Sequence, residues 1–306
     1  MCGLFGFSRY GTNHIPKLSS LTNALAVESS VRGTDATGIA VCNNGKISIT
    51  KDSKPAYKME FKHSDDILAL TGHTRHSTQG SEKRNYNNHP FIGKTSSSSF
   101  ALSHNGVLMN DEELRKKLSL PKTKIETDSY IAVQLIESKK ALNCENIKYM
   151  AETIKGSFSF SILDDKNNLY LIKGDSPLSL LHFPLQKIYV YASTDNILYK
   201  ALIDSPLFKD LKKGEFEELS IDEGEILTIA SSGELTRSTF DFCYSYCRNW
   251  WDYGCYSSSS AILDEDADLI DYLKMAASFE GHEPEIVDSL FKEGFTYDEI
   301  EEYIYS

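Results

Sequence analysis

The chain opens Met1-Cys2-Gly3-Leu4-Phe5-Gly6. Once Met1 is removed, Cys2 carries a thiol and a free α-amine on one residue. Thiolate is the reactive form of cysteine, and an N-terminal amine can act as its base. An α-amine titrates at roughly 7.7–8.0, so it exchanges a proton near neutral pH. One residue would then supply both nucleophile and base. The same stretch reads equally well as a small residue leading into a buried strand, and the rest of the chain has to decide.

Four polar clusters bear on that decision. In Gly72-His73-Thr74-Arg75-His76-Ser77-Thr78-Gln79-Gly80, an arginine at a strand end can hold a carboxylate through two parallel hydrogen bonds. A surface arginine on a loop is the plainer reading. In Asn88-His89-Pro90-Phe91, His89 is either catalytic or a structural ring bonded to backbone, and the structural reading is favoured. In His104-Asn105-Gly106, the Asn amide and the Gly N–H can form an oxyanion hole. Asn-Gly is also a strong hairpin-turn dipeptide. In Glu126-Thr127-Asp128-Ser129, Asp128 is either a site for a substrate ammonium or, with Thr127, a helix cap.

Elements must position these groups. Cys2 to Ser8 reads as a buried strand. Pro16 to Ser30 reads as a helix, with Leu18, Leu21 and Leu25 at helical spacing and Pro16 in the first turn. Residues 39–51 have strand–turn–strand form around Asn43-Asn44-Gly45. Asp65 to Leu70 reads as helix, Gly80 to Ser99 as a mobile loop, and Phe100 to Ser103 as a strand running into Asn105. Helices follow at Asp111 to Leu118, with Asn110 or Asp111 as cap, and at Ser129 to Lys139. Short strands are expected at Phe158 to Leu163, Leu169 to Lys173, Ile188 to Ala192 and Glu225 to Ala230. Strands on both sides of a helical pair imply two stacked sheets with helices outside.

Composition narrows the class. With 306 residues, 41% hydrophobic and 25% charged, the chain is an ordinary globular one of about two domains. A net charge of −12 argues against a nucleic-acid partner or an anionic membrane surface. No apolar run is long enough to span a bilayer, no signal-type leader precedes Cys2, and a cytoplasmic protein is expected. Of the six cysteines, Cys243, Cys247 and Cys255 cluster late, at spacings matching no zinc or iron–sulfur pattern. Free thiols in an aromatic strap are expected there, with no metal.

Individually these signals are weak; in this order they are specific. The chain resembles the glutaminase domain of class II glutamine amidotransferases, which are N-terminal nucleophile hydrolases. Within that group it is most similar to the amidotransferase half of glucosamine-6-phosphate synthases. The resemblance runs over residues 2–240. It rests on Cys2-Gly3, Arg32-Gly33 with Asp35 and Gly38, Gly72 to Arg75, Asn88 to Pro90, His104 to Gly106, Asn110 to Arg115, and Thr127-Asp128. Lys155 to Ser157, Gly174 to Leu178, Ala192 to Asp195 and Gly224 to Ile226 extend it.

The resemblance implies an α+β, four-layer αββα sandwich that hydrolyses glutamine to glutamate and ammonia without a cofactor. Carried over by position, Cys2 is the nucleophile, and Asn105 and Gly106 hold the oxyanion. Arg75 takes the glutamine α-carboxylate and Asp128 its α-amine. Thr78 and His76 line the pocket. Arg32, with Gly33, supports the chain beside the Cys2 amine. His76 and Gln79 stand where the synthases carry Trp and His, which bears on closure of the glutamine loop. Residues 241–306, read as a strap, a Ser257 to Ser260 linker and helices near Asp264 to Met275, Glu283 to Phe291 and from Thr296, are too short for a sugar-isomerase domain. A separate ammonia-acceptor subunit is therefore expected, with homo-oligomerisation left open. The alternatives are an amidohydrolase acting on another amide and a non-catalytic glutamine-binding regulator.

Overall fold

The computed structural model describes residues 2–203, 205, 207–242, 273–274, 277, 282–293, 295 and 297–304. The chain divides into two compact units, Met1–Trp250 and Trp251–Ser306.

Two antiparallel sheets build the first unit. The seven-stranded sheet holds β1 (Gly3–Arg9), β2 (Ala36–Asn43), β3 (Lys46–Asp52), β4 (Ala69–Arg75), β9 (Ser179–Phe183), β10 (Ile188–Ala192) and β11 (Glu217–Glu218). Its order is β11-β9-β10-β1-β4-β2-β3, so β1 is central. The six-stranded sheet holds β5 (Phe91–Lys94), β6 (Ser99–Leu108), β7 (Gly156–Asp164), β8 (Leu169–Lys173), β12 (Glu225–Ile229) and β13 (Leu235–Thr239), in the order β13-β12-β8-β7-β6-β5.

Helices cover the outer faces. Helix α1 (Leu18–Glu28) turns Leu18, Leu21 and Leu25 into a core shared with Phe5, Phe7 and Val190 of the first sheet. A helix over Asp195–Ile203 adds Ile197, Leu198 and Leu202 to that core. On the other face, the helices Tyr130–Ser138 and Cys144–Thr153 bury Ile131, Leu135, Ile147 and Met150 against Phe158, Phe160 and Ile162. Leu4, Leu171, Leu180, Tyr191 and Leu227 form an apolar core of their own, drawn from strands of both sheets. The layers therefore run helix, sheet, sheet, helix. Truncating a fully buried leucine such as Leu21 to alanine is worth about 2–5 kcal/mol.

The layer between the sheets is also polar. Thr71 and Ser161 hydroxyls meet at 2.6 Å, Tyr191 donates to Thr71 at 2.9 Å, and a His73 ring nitrogen lies 2.9 Å from the His104 carbonyl. Buried polar groups need partners, and these link β4 and β10 to β6 and β7.

Several local readings are corrected. Residues 65–70 are a turn leading into β4, because Asp65 is engaged elsewhere: its carboxylate accepts the Lys17 and Leu18 N–H groups and caps α1 from a distance. The stretch 80–99 contains a 3-10 turn at Asn85–Asn87 and β5, with Asn87, Asn88 and His89 buried. Asn105-Gly106 is not a hairpin turn; both residues lie inside the ten-residue β6, opposite Ser159 and Phe158. Asn110 does not cap the helix Asp111–Lys117 with its side chain, which instead bonds Thr153 O and Lys155 N. The helix Cys144–Thr153 went unread; Asn143 caps it through Asn146 N at 2.9 Å.

In the second unit, Leu273, Ala277, Val287, Leu290, Ile300 and Ile304 form a small apolar core between helical segments including Glu285–Glu293 and Tyr297–Ile304. Cys243, Cys247, Cys255, the serine linker and most of the helix expected over Asp264 to Met275 lie outside the described residues. Among the described residues, no helix is long and apolar enough to cross a membrane, and no group of three or more His, Cys, Asp or Glu side chains is placed to hold a metal.

Candidate active site

Cys2 sits immediately before β1, whose start is pinned on both sides. Gly3 pairs with Thr74, and Leu4 exchanges hydrogen bonds with Ser193 through N–H to Oγ at 2.8 Å and Ser193 N–H to carbonyl at 2.9 Å. The Cys2 Sγ accepts the His76 N–H at 3.4 Å and lies 3.5 Å from the His76 carbonyl. Arg32 Nε donates to the Cys2 carbonyl at 2.8 Å from the 3-10 turn Ser29–Arg32. Gly33 follows, pressed on the backbone of Arg75; a Cβ there would meet the Arg75 carbonyl carbon at 2.4 Å. A side chain at residue 33 would therefore push Arg75 away.

The Cys2 residue is partly exposed, but its thiol lies in dense protein surroundings. Desolvation pushes the thiol pKa up, opposed by the His76 N–H and the Arg75 charge and reinforced by Asp128. The resting group is thus a thiol at neutral pH, and reaction needs a base to take its proton. Those same electrostatic effects place Cys2, Arg75 and Asp128 in one neighbourhood.

Arg75 closes β4 and is 3% exposed. Its Nη1 donates to Asn88 Oδ1 at 2.7 Å, and its Nη2 to the Gln79 and Gly80 carbonyls at 2.7 and 2.6 Å. A guanidinium has five N–H donors. Nε–H and one Nη1–H of Arg75 therefore have no protein acceptor among the described residues. Asn88 is itself fixed by a 2.8 Å bond from its amide to Glu82 O. His76 and Thr78 lie beyond Arg75 with exposed side chains, on a loop tied down by the 2.7 Å bond from Ser77 N to Asp35 Oδ2. Only the backbone of His76 contacts the thiol.

Asn105 and Gly106 come from the opposite sheet. His73, register partner of Leu4, contacts the carbonyl of His104, the residue before Asn105. A carbonyl only accepts, so the His73 nitrogen carries the hydrogen. Asn105 is 1% exposed, and its Nδ2 is buried without a hydrogen-bond partner among the described residues. Gly106 has φ +133°, and a Cβ there would lie 2.0 Å from the Ser157 carbonyl oxygen. Only glycine fits that turn of backbone.

Asp128 lies at the far end of the same strand. Its Oδ2 accepts the Leu108 N–H at 2.6 Å, and its Oδ1 accepts from Ser129 Oγ at 3.3 Å. Neither Thr127 nor Asp128 caps the helix that follows. Ser129 Oγ also lies 2.8 Å from His104 Nδ1. His104 and Ser129 thus join the carboxylate to the strand carrying Asn105, as Asn88 joins Arg75 to its loop. Sequence reasoning gave none of these three a role. Their one signal was membership of the motifs Asn88 to Pro90 and His104 to Gly106 and of the cluster ending at Ser129. His89 packs at a tilt between His73 and Phe91, with ring centroids 4.1 and 4.3 Å away, and neither ring nitrogen has a hydrogen-bond partner among the described residues, so it is a packed ring rather than one bonded to backbone. A cavity of about 390 Å³ lies elsewhere, beside Lys51 and Tyr86. The charges of Arg75 and Asp128 both act on the Cys2 thiol, and β6 carries the buried amide of Asn105.

This architecture is similar to the fold of N-terminal nucleophile amidotransferases. A glutamine phosphoribosylpyrophosphate amidotransferase from B. subtilis superposes with a TM-score of 0.62 at 20% identity, covering 90% of this chain and 58% of that one. A second solved structure, described as the allosteric regulatory enzyme of purine biosynthesis, gives 0.60 at 20% identity, covering 92% and 59%. At that identity they speak to the fold alone. Residues 73–200 match the glutamine amidotransferase domain family. Over residues 73–200 the chain is therefore similar to glutamine amidotransferase domains.

Among curated relatives, the glutamine–fructose-6-phosphate aminotransferase (isomerizing) of Staphylococcus epidermidis is 33% identical over 188 residues, or 58% of this chain and 30% of its own length. That of Staphylococcus aureus is 33% identical over 189 residues, 59% and 30%. The chain thus spans under a third of the curated relatives it matches.

Proposed function

We propose that this domain hydrolyses the side-chain amide of glutamine to glutamate and ammonia, and that a separate acceptor enzyme takes the ammonia. The observation that carries this reading is the buried, unpartnered amide of Asn105. An orphaned buried donor costs about 1–3 kcal/mol, and a developing oxyanion would satisfy it.

In this scheme Met1 is removed and the α-amine of Cys2 takes the thiol proton as Sγ attacks the glutamine side-chain carbonyl carbon. The carbonyl oxygen becomes an oxyanion held by Asn105 Nδ2 and the Gly106 N–H. Collapse breaks the C–N bond, and the ammonium proton on the amine leaves with the amide nitrogen as ammonia. Water, losing a proton to the same amine, then cleaves the thioester to glutamate and restores the thiol. The two spare N–H groups of Arg75 receive the substrate α-carboxylate, and Asp128 receives its ammonium. Arg32 fixes the Cys2 carbonyl, so the terminus cannot swing away. His76 and Thr78 form the rim that closes over glutamine. Residues 1–240 form the catalytic domain, with residues 241–306 an extension to it, and the protein works in the cytoplasm.

Glutamate release from glutamine tests this, with other amides as controls. Cys2→Ala should abolish release while circular dichroism stays native. An electrophilic glutamine analogue should add one label, at Cys2. Labelling at Cys243, Cys247 or Cys255 instead, or turnover by Cys2→Ala, overturns the reading.

A further inference from the structure

The cavity of about 390 Å³ is lined by residues of the edge strands β3 and β5. Its size falls within the range of small-ligand sites. Three aromatic rings, Tyr86, Phe91 and Tyr130, and the side chains of Ile49 and Ile125 wall it. Lys51 is its one charged lining residue.

The Lys51 ammonium is held but not neutralised. Nζ donates to the Asn88 carbonyl and, at 2.9 Å, to the Pro90 carbonyl, and lies 5.1 Å from the Phe91 ring centroid. An ammonium has three N–H donors, so one remains without an acceptor among the described residues. None of the described carboxylates pairs with it. Burial, with the Arg75 charge adding, brings its pKa down to about 8, so it remains mostly charged at pH 7. A partly desolvated cation with one free donor recruits an anion. Lys51 is the one charged group in a lining that also includes Asn85 and two tyrosines, and it matches one negative charge; a dianion would leave surplus charge in a protein already at −12.

We propose that this cavity binds a small aromatic monocarboxylate, its carboxylate on the third Lys51 N–H and its ring among Tyr86, Phe91 and Tyr130. Aromatic rings pack edge or offset against one another with a preference beyond area alone, which selects a ring over a simple aliphatic acid. Asn88 bonds Lys51 through its carbonyl and Arg75 through its side chain. A ligand on Lys51 therefore sits one residue from the arginine assigned to glutamine. That link rests on the proposed function; the binding itself does not.

Isothermal calorimetry on the full chain with phenylacetate reads binding without turnover. Saturable one-to-one binding is expected, with Kd on the order of 1 mM or tighter. Phenylacetamide and acetate should bind at least about tenfold more weakly, one lacking the charge and the other the ring. Lys51→Met should lower phenylacetate affinity by about tenfold or more. Because Lys51 also anchors two carbonyls, Tyr86→Ala, which leaves that anchor in place, is the companion variant and should show a similar loss. No saturable heat up to about 20 mM, equal affinity for the amide, or unchanged affinity in Tyr86→Ala overturns the site. Displacement by glutamine does so too, since it would put the probe at Arg75.

Discussion

Three histidines, His73, His89 and His104, are each buried, and acid should find them. Burial drives the His73 pKa down to about 3, with its bond to the His104 carbonyl opposing and the charges of Arg75, His104 and Lys51 adding. The folded ring therefore stays neutral down to about pH 3, whereas in the unfolded chain it takes a proton near 6.5. Between those values the unfolded state binds more protons. The stability from this group is complete above pH 6.5 and is lost as pH falls towards 3. Each pH unit below 6.5 removes roughly 1.4 kcal/mol, so going from pH 7 to pH 5 removes about 2 kcal/mol through His73 alone. His89 and His104 are lowered by burial as well, and act in the same direction. Against a total stability of about 5–15 kcal/mol, this is a large fraction. Urea unfolding at pH 7 and pH 5 measures it. In His73→Gln the amide can still donate to the His104 carbonyl but cannot titrate, so its pH 7-to-5 loss should be smaller by about 2 kcal/mol. An equal loss in wild type and variant would refute the assignment of a neutral buried ring.

Kinetics should separate binding from chemistry. Arg75→Ala and Asp128→Asn should each lower kcat/KM for glutamine by about a hundredfold or more, because each strands one end of the substrate's charge pair. Asn105→Ala should act mainly on kcat, by about a hundredfold to a thousandfold, with KM little changed. Steady-state glutamate release on the three variants checks both; intact turnover in the first two would point to an amide substrate without a free amino-acid end. Intact-mass measurement should find the active protein starting at Cys2, and full retention of Met1 in an active preparation contradicts the amine's role as base.

Much of the frame was legible from residue periodicity. Leu18, Leu21 and Leu25 announced a helix, and the strands at Ile188, Leu169 and Glu225 lie within a residue or two of where their apolar runs put them. Apart from the helix Cys144–Thr153, whose cap is local, what failed has one physical cause: polar residues were read against their sequence neighbours, whereas the fold uses them at long range. Asp65 caps a helix 47 residues away. Asn105-Gly106 looks like a turn until it is paired with β7. Asn110, a cap by position, ties down Thr153 and Lys155 instead. Candidate site residues could be listed from motif order, but Asn88, His104 and Ser129 act through partners that only the packed sheets bring near.

The placing of β1 in the middle of its sheet constrains how the molecule is made. Its two neighbours are β4 and β10, so the first strand of the chain is completed by residues 188–192. A nascent chain must expose about 190 residues before Cys2 can be locked in place. Pairings this distant in sequence form slowly, so the segment bearing Cys2 stays exposed until they do. A chain truncated before residue 188 would leave one side of β1 as an open edge, prone to pair with other chains, with Cys2 held from one side only.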